Sequence, residues 1–195
     1  KKIAIAMGQD KVVGEVSTDV DNLLYGESIV FSGKFKLADG RPVAEVPVFM
    51  EVKRSSGSSR RPVGNTAADG TFQSKVLLGE STEISFSTDE TWDRTLGQTP
   101  IKTIGVSRVI SWKIPGSMKH GVTYKVTGQI QPRIAGVNVS LDDGAKVSSG
   151  ITNADGTFEL EVTPTKIGAK QFRIVTEAEC AFSGSKSAFT TVLVR

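Results

Sequence analysis

One pentapeptide, Ala-Asp-Gly-Thr-Phe, occurs twice in this chain of 195 residues, at 68–72 and at 154–158. The Asp-Gly step predicts a tight turn, because glycine adopts a positive φ without strain and aspartate can hydrogen-bond to the backbone two residues on. We therefore predict structural turns at Asp69-Gly70 and Asp155-Gly156, each followed by a strand that begins with an inward phenylalanine. A chain that repeats such a turn is expected to repeat the unit around it.

Apolar and polar residues alternate with a period of two along the chain. "IVFSGKFKL" (29–37), "VNVSL" (137–141) and "FELEV" (158–162) each place apolar side chains on one face and polar ones on the other. Half-buried strands produce this pattern. Near the start, "IAIAM" (3–7) is predicted to be a first strand, and "KVVGEV" (11–16) an added edge strand or a loop. No long segment carries a helical stripe, so the sequence predicts an all-β fold.

The similarity between the two halves extends beyond the turn. Tyr25–Val52 and His120–Leu141 each hold a strand ending in Ser-Gly or Thr-Gly, a connection, and a second strand built on Val-x-Val. Roughly seven short strands per hundred residues are typical of a β-sandwich. We therefore predict two β-sandwich domains, residues 1–107 and residues 108–195.

Composition excludes several classes of function. Cys180 is the only cysteine and His120 the only histidine, so an internal disulfide, a cysteine-based metal cluster and most catalytic triads are excluded. A net charge of +3, with no basic stripe interleaved with aromatic residues, argues against nucleic-acid binding. No apolar run approaches the roughly 20 residues that span a bilayer. Because the chain begins Lys1-Lys2 without a signal peptide, we expect a mature protein or a fragment of a longer one.

Several stretches carry a resemblance to a known family. They are Tyr25–Ser28, Asp39–Val43 and Thr66–Phe72 in the first half, and 132–139 and 152–158 in the second. These stretches resemble the bacterial immunoglobulin-like domains that occur in tandem in secreted and cell-surface proteins. The resemblance implies two tandem immunoglobulin-like β-sandwiches and an extracellular, cell-surface location. It does not choose among the stalks, adhesin segments, virion decorations and enzyme-flanking spacers that such domains form.

Trp92 is the first candidate contact residue. It lies in the polar stretch "DETWDRTLGQTP" (89–100) between two predicted strands. An aromatic side chain at a loop tip can stack on a sugar ring or anchor a protein contact. The interpretation that we favour is that Trp92 caps its own end of the sandwich. Trp112, in the alternating "VISWKI", is predicted to pack in the core or at the domain junction.

An arginine-rich loop is the second candidate. "KRSSGSSRRP" (53–62) joins two predicted strands and carries Arg54, Arg60 and Arg61. Because guanidinium groups match the oxygens of phosphates and carboxylates, these three residues could hold phosphate or an acidic polymer. A solvated hairpin tip is the alternative, and we favour it. Cys180 is predicted to be a buried small apolar residue, with an exposed thiol that joins two chains as the alternative.

No catalytic residue, cofactor or metal is expected. A calcium loop is the functional alternative to the structural turns, but one aspartate in each turn supplies too few carboxylates for calcium. An isopeptide crosslink would need an inward lysine. Lys34, Lys36 and Lys125 all fall on the outward faces of their predicted strands.

The sequence thus predicts a non-catalytic structural, assembly or spacer segment of a larger bacterial surface, secreted or virion protein. Its partners would be other domains of that protein or assembly subunits, with neither nucleic-acid binding nor membrane insertion. The alternative is an adhesin-type module that binds a polysaccharide or a surface protein through Trp92 and the three arginines. An enzyme with scattered carboxylates is a third class, and no motif supports it.

The connection between the two domains gives a first testable prediction. Only about two residues, near Ser107 and Arg108, separate the predicted strands on either side, and no Gly/Ser tract lies there. Flexible linkers need that composition to behave as coils. We expect small-angle X-ray scattering of the isolated chain to show a stiff rod about two domains long. A compact side-by-side envelope, or a broad distribution of lengths, would contradict this prediction.

Overall fold

The computed structural model of the chain describes residues 8–179 and 181–195. The predicted strand "IAIAM" and Cys180 lie outside the described residues. Among the described residues there is no helix, and hence none that could span a membrane. The chain divides into two compact units, and the division falls between Gly105 and Val106, whereas the sequence placed it after Ser107. The first unit is called unit 1 and the second unit 2.

In the part of unit 1 that the structure describes, residues 8–105, the regular elements are all strands. Its described part contains, in chain order, β1 (Val12–Thr18), β2 (Asn22–Leu24), β3 (Ser28–Leu37), β4 (Pro47–Arg54), β5 (Gly57–Asn65), β6 (Thr71–Leu77), β7 (Thr82–Thr88), β8 (Gly97–Gln98) and β9 (Lys102–Ser107). One sheet has the order β1-β3-β6, and the other the order β2-β9-β7-β4-β5, with β8 also paired to β7.

Unit 2 repeats this arrangement. Its described part contains β10 (Val109–Lys113), β11 (Ser117–Met118), β12 (Tyr124–Gln131), β13 (Asn138–Asp142), β14 (Lys146–Ile151), β15 (Thr157–Val162), β16 (Gly168–Thr176), β17 (Ser185–Lys186) and β18 (Thr190–Val194). The sheet orders are β10-β12-β15 and β11-β18-β16-β13-β14, with β17 paired to β16. Each strand therefore has the same neighbours as the strand nine places earlier. The predicted fold class, all-β with immunoglobulin-like β-sandwiches, is confirmed.

The alternating residues of the strands form the core of each unit. In unit 1, Phe31 of β3 and Phe72 of β6 meet Phe86 of the opposite sheet, with ring centroids 5.4 and 4.9 Å away. In unit 2, Phe158 of β15 and Phe172 of β16 belong to one buried cluster, and Trp112 packs against it. Burial of each such side chain contributes about 1.5–3 kcal/mol, so the facing phenylalanines hold the two sheets together.

"KVVGEV" forms most of β1, an edge strand that pairs with β3 along its whole length, so the edge-strand alternative is confirmed. Two other local predictions need correction. β3 does not end at Ser32-Gly33 but continues to Leu37. Gly33 is required there because a Cβ would lie 2.4 Å from the ring of Phe72 on the neighbouring strand. Arg60 and Arg61 belong to β5, since the loop after β4 is only the short turn at 55–56.

Connections at one end of each unit are held by a buried threonine. The Thr66 hydroxyl donates to the Val43 carbonyl at 2.7 Å and accepts from the Val46 amide at 3.1 Å. In unit 2 the Thr152 hydroxyl makes the same bonds to the Ile134 carbonyl and the Val137 amide. The threonine that opens each repeated turn therefore fixes the crossing between the two sheets.

We call this end of each unit the turn end. In unit 1 it carries the β3–β4 connection, the β5–β6 turn and the β7–β8 loop, because neighbouring antiparallel strands alternate in direction. The opposite end, which we call the far end, carries the β4–β5 turn and the β6–β7 loop. The corresponding connections occupy the two ends of unit 2.

Substitution of the turn glycines tests the repeated turn. Gly70 and Gly156 have φ of 81° and 76°, and a Cβ would lie 2.3 Å from the Phe35 carbonyl oxygen and 2.9 Å from that of Ile130, respectively. We expect Gly70→Val and Gly156→Val each to lower the free energy of unfolding by more than about 1 kcal/mol in denaturant titration. Gly40→Val is the matched control, because Gly40 has φ of 93° but open space around it. A loss at Gly70 no larger than at Gly40 would contradict the role of close packing.

Candidate functional site

Trp92 is displayed on a short, well-bonded turn in the β7–β8 loop. The Thr91 amide donates to the Arg94 carbonyl at 3.0 Å, and the Arg94 amide donates back at 3.4 Å. Trp92 and Asp93 thus form a two-residue turn, which the Thr91 hydroxyl closes by donating to Asp93 Oδ1 at 2.6 Å. The Trp92 side chain is 77% exposed. The favoured prediction that Trp92 caps the sandwich is therefore wrong.

Residues preceding β1 hold this loop in place. The Asp10 amide donates to the Asp93 carbonyl at 2.8 Å, and the Thr95 amide donates to the Asp10 carbonyl at 3.0 Å. Gln9 Nε2 donates to the Thr91 carbonyl at 2.7 Å and to a carboxylate oxygen of Glu90 at 2.9 Å. Because both sides of the loop are bonded, Trp92 is presented with little freedom to lose on binding. Among the described residues, the aromatic ring contacts join only phenylalanines, and none includes Trp92.

The three candidate arginines do not converge on one site. Arg54 Nε lies 3.7 Å from Glu80 Oε1 at the far end of unit 1. Arg60 lies on β5, donates to Asp89 Oδ1 at 2.6 Å, and stacks on the ring of Phe49 at 3.6 Å. Arg61 follows Arg60 in the strand and faces the opposite side. Two of the three guanidinium groups are thus paired with carboxylates, which leaves little attraction for a phosphate.

A shallow concavity of about 470 Å³ lies on the outer face of the larger sheet in unit 1. Its rim carries Lys53 and Glu83, joined at 3.0 Å, and Glu51, which accepts from the Ser87 hydroxyl at 2.6 Å. Sequence reasoning missed this concavity, and the only available signal was the charged residues on the polar face of β4. Its charged groups are already paired, Lys53 with Glu83 and Arg60 with Glu51.

The repeated aspartates form hydrogen bonds within their own turns. Asp69 Oδ1 accepts from the Thr71 hydroxyl at 2.7 Å and the Thr71 amide at 3.0 Å, and Asp155 makes the same pair of bonds with Thr157. These bonds lower the pKa of both carboxyl groups. Residues 8–179 and 181–195 contain no group of three or more histidine, cysteine, aspartate or glutamate side chains arranged to hold a metal.

Other shifted carboxyl groups are also stabilised in the ionised form. The pKa is lowered chiefly by a hydrogen bond from Lys36 at Glu15, from the Arg41 amide at Asp39, from Thr91 at Asp93 and from Arg173 at Asp142. A general acid at neutral pH needs the opposite shift. Lys36 and Lys125 are likewise outward and paired, with Glu15 and Glu159.

Comparison with known proteins gives similarity in fold alone. No protein family matches the sequence, and no curated protein is similar to it. Among solved structures, E. coli alpha-2-macroglobulin is 10% identical with a TM-score of 0.43, over 95% of this chain and 17% of that one. The D0-D1 domain of intimin is 12% identical with a TM-score of 0.34, over 91% and 97%. Fibronectin(III)-like modules of Clostridium thermocellum CbhA are 12% identical with a TM-score of 0.32, over 92% and 94%. This chain thus spans about a sixth of the alpha-2-macroglobulin chain.

The turn aspartates predict how stability depends on pH. The pKa of both aspartates is lowered in the folded state. Their contribution to the free energy of unfolding is therefore fully present above the unfolded-state pKa near 4, and it is lost as the pH falls through the folded-state pKa. We expect Asp69→Asn/Asp155→Asn, which keeps an acceptor oxygen but cannot titrate, to lose less melting temperature than the parent between pH 5 and pH 3. Asp19→Asn/Asp21→Asn, which changes two exposed aspartates outside the turns, is the control. Equal losses in the parent and in the turn variant would contradict this assignment.

Proposed function

We propose that this chain is a non-catalytic structural segment, a spacer or assembly module of a larger bacterial surface, secreted or virion protein. The observation that carries the proposal is the connection between the units. β9 ends at Ser107 and β10 begins at Val109, so one residue, Arg108, separates them. That residue is 2% exposed. A module whose role is to set a distance benefits from such a short link.

Arg108 belongs to unit 2 and is held by other residues of that unit. The Arg108 amide donates to the Ser185 hydroxyl at 2.6 Å, and its guanidinium donates to a carboxylate oxygen of Glu179. The Ser183 amide donates to the Val106 carbonyl at 2.9 Å. The guanidinium also stacks on the Phe182 ring at 4.5 Å. These contacts all lie within unit 2 and fix the residue between β9 and β10, which supports a spacer with a short, ordered link.

The paired charges of the surface support a role without catalysis. The shifted carboxyl groups are stabilised as anions, and the concavity on unit 1 is lined by ion pairs. An extracellular location rests on the resemblance to bacterial immunoglobulin-like domains. The partners proposed are other domains of the parent protein or assembly subunits.

One observation favours a binding module as the second candidate. Trp92 is 77% exposed on a fixed turn, and rigid exposed aromatic residues often anchor protein contacts. A polysaccharide is the weaker choice of ligand, because a sugar platform would need further aromatic rings beside Trp92. The separation of Arg54, Arg60 and Arg61 gives no added support for an acidic polymer.

Ligand titration tests the polysaccharide form of the binding module against the spacer. We expect neutral and acidic polysaccharides to leave both the melting temperature and the tryptophan emission of the chain unchanged, because a spacer has no ligand to saturate. Trp92→Ala serves as the matched variant. A saturable change in the parent that disappears in Trp92→Ala would replace the spacer by the binding module.

A further inference from the structure

Strands β1 and β10 occupy the same place in their units, and a glycine on the neighbouring strand aligns them. Gly33 and Gly128 are equivalent, because a Cβ on either would lie within 2.4 Å of a phenylalanine ring on the third strand of the same sheet. They pair with Val16 of β1 and Trp112 of β10, respectively. The residues four places earlier therefore also correspond, and they lie on the same side of the chain as those two.

Unit 2 carries a cation where unit 1 carries an apolar side chain. The residues four places before Val16 and Trp112 are Val12 and Arg108. Both are buried, with exposures of 6% and 2%. Trp112 packs against the core of unit 2, so Arg108 lies on the same inward side. The inward row of residues in unit 2 thus begins with a guanidinium group.

The guanidinium group of Arg108 is only partly hydrogen-bonded. Its Nη2 donates to Glu179, whose side chain is 42% exposed, and its Cζ lies 4.5 Å from the centre of the Phe182 ring. Among the residues that the structure describes, Nε and Nη1 have no hydrogen-bond partner. These two atoms carry three of the five N–H groups of a guanidinium. Their burial disfavours this arrangement, because water would satisfy them.

The residues that follow β16 contact Arg108 and its neighbours through a set that we call the latch: Glu179, Phe182, Ser183 and Ser185. Glu179 and Phe182 exchange backbone hydrogen bonds at 2.9 and 3.0 Å. The Ser183 amide donates to the Val106 carbonyl, and the Ser185 hydroxyl accepts from the Arg108 amide. The latch therefore holds both the backbone and the charge of the residue that links the units.

The β7–β8 loop of unit 1 is the counterpart of the latch. Its Thr95 amide donates to the Asp10 carbonyl at 3.0 Å, as the Ser183 amide does to the Val106 carbonyl at 2.9 Å. The Thr95 hydroxyl also accepts from the Val12 amide at 3.0 Å. The two loops thus make similar bonds to the backbone, and they differ in the core residue beside them, which is apolar in unit 1 and charged in unit 2.

We propose that the latch opens and closes locally, without the unfolding of unit 2, and so switches the link at Arg108 between a fixed and a released state. In the closed state the ion pair and the Phe182 ring offset the burial of the charge. In the open state water reaches all five N–H groups. The two states are therefore close in free energy. This switch goes beyond the proposed spacer role, which a permanently fixed link would fulfil.

Amide hydrogen exchange followed by NMR on the intact chain tests the proposal. The Ser183 amide monitors the latch. The amide of the fully buried Ile130, which donates to the Gly156 carbonyl at 3.0 Å, monitors the body of unit 2. We expect the Ser183 amide to exchange faster than the Ile130 amide by about tenfold or more, because local opening exposes only the first of them. The Thr95 amide of unit 1 is the internal reference for the variants.

Two substitutions distinguish a switch from an ordinary stabilising ion pair. Glu179→Gln keeps the shape of the side chain but removes the anion that offsets the buried guanidinium, so it should speed exchange at Ser183 by about tenfold or more. Arg108→Met removes the buried cation, so it should slow this exchange by a similar factor and leave the melting temperature unchanged or raised. An ordinary stabilising pair would be weakened by both changes.

Glu177→Gln is the matched control, because it neutralises another exposed glutamate two residues before Glu179 and outside the ion pair. It should leave the exchange at Ser183 unchanged, and none of the variants should alter the exchange at Thr95. Arg108→Leu is the second choice if Arg108→Met does not fold.

Exchange at Ser183 as slow as that at Ile130 would overturn the proposal, since the latch would then open only with the whole unit. Faster exchange in Arg108→Met would also overturn it, and so would a response to Glu179→Gln no larger than that to Glu177→Gln. None of these outcomes bears on the spacer role, which the ligand titration tests separately.

Discussion

A single threonine hydroxyl in each unit fixes the place where the chain crosses from one sheet to the other. Thr66 and Thr152 each donate to a carbonyl and accept from an amide within the crossing segment. Loss of either hydroxyl would leave buried polar groups without partners, at about 1–3 kcal/mol for each group. The turn that follows, the inward phenylalanine and the first residues of the next strand all take their positions from this bond. The repeated sequence is therefore a structural device.

The two copies of this device differ at one backbone position. In unit 2 the residue whose amide donates to the Thr152 carbonyl is Gly136, with φ of 78°. In unit 1 the corresponding bond to Thr66 comes from Glu45, with φ of 58°. A residue with a Cβ is less stable than glycine in this region. The threonine bonds of unit 1 therefore hold Glu45 in a conformation that its side chain disfavours.

Local patterns predicted much of the fold, and distant contacts account for what they missed. The alternation around Phe31 and the Asp-Gly turns could be interpreted from neighbouring residues alone. The strand β5 could not be predicted in this way. Its outward and inward positions are almost equally exposed, and its arginines interrupt the alternation of polar and apolar residues. The exposure of Trp92 depends on the hydrogen bonds between Asp10 and the loop that carries Trp92. Because Asp10 lies more than 80 residues earlier in the chain, no local sequence pattern predicts these bonds.

The pairing of β11 with β18 has a mechanical consequence. The two strands run parallel, and Leu193 and Arg195 donate to the Gly116 and Met118 carbonyls at 3.1 and 2.9 Å. Once β10, which precedes β11, has separated from β12, a force that pulls the two ends of unit 2 apart would slide β11 and β18 past each other, so that their bonds are loaded together. An antiparallel pair of terminal strands would instead open one bond at a time. The last strand of unit 2 is thus paired so that it resists tension along the polypeptide by shear.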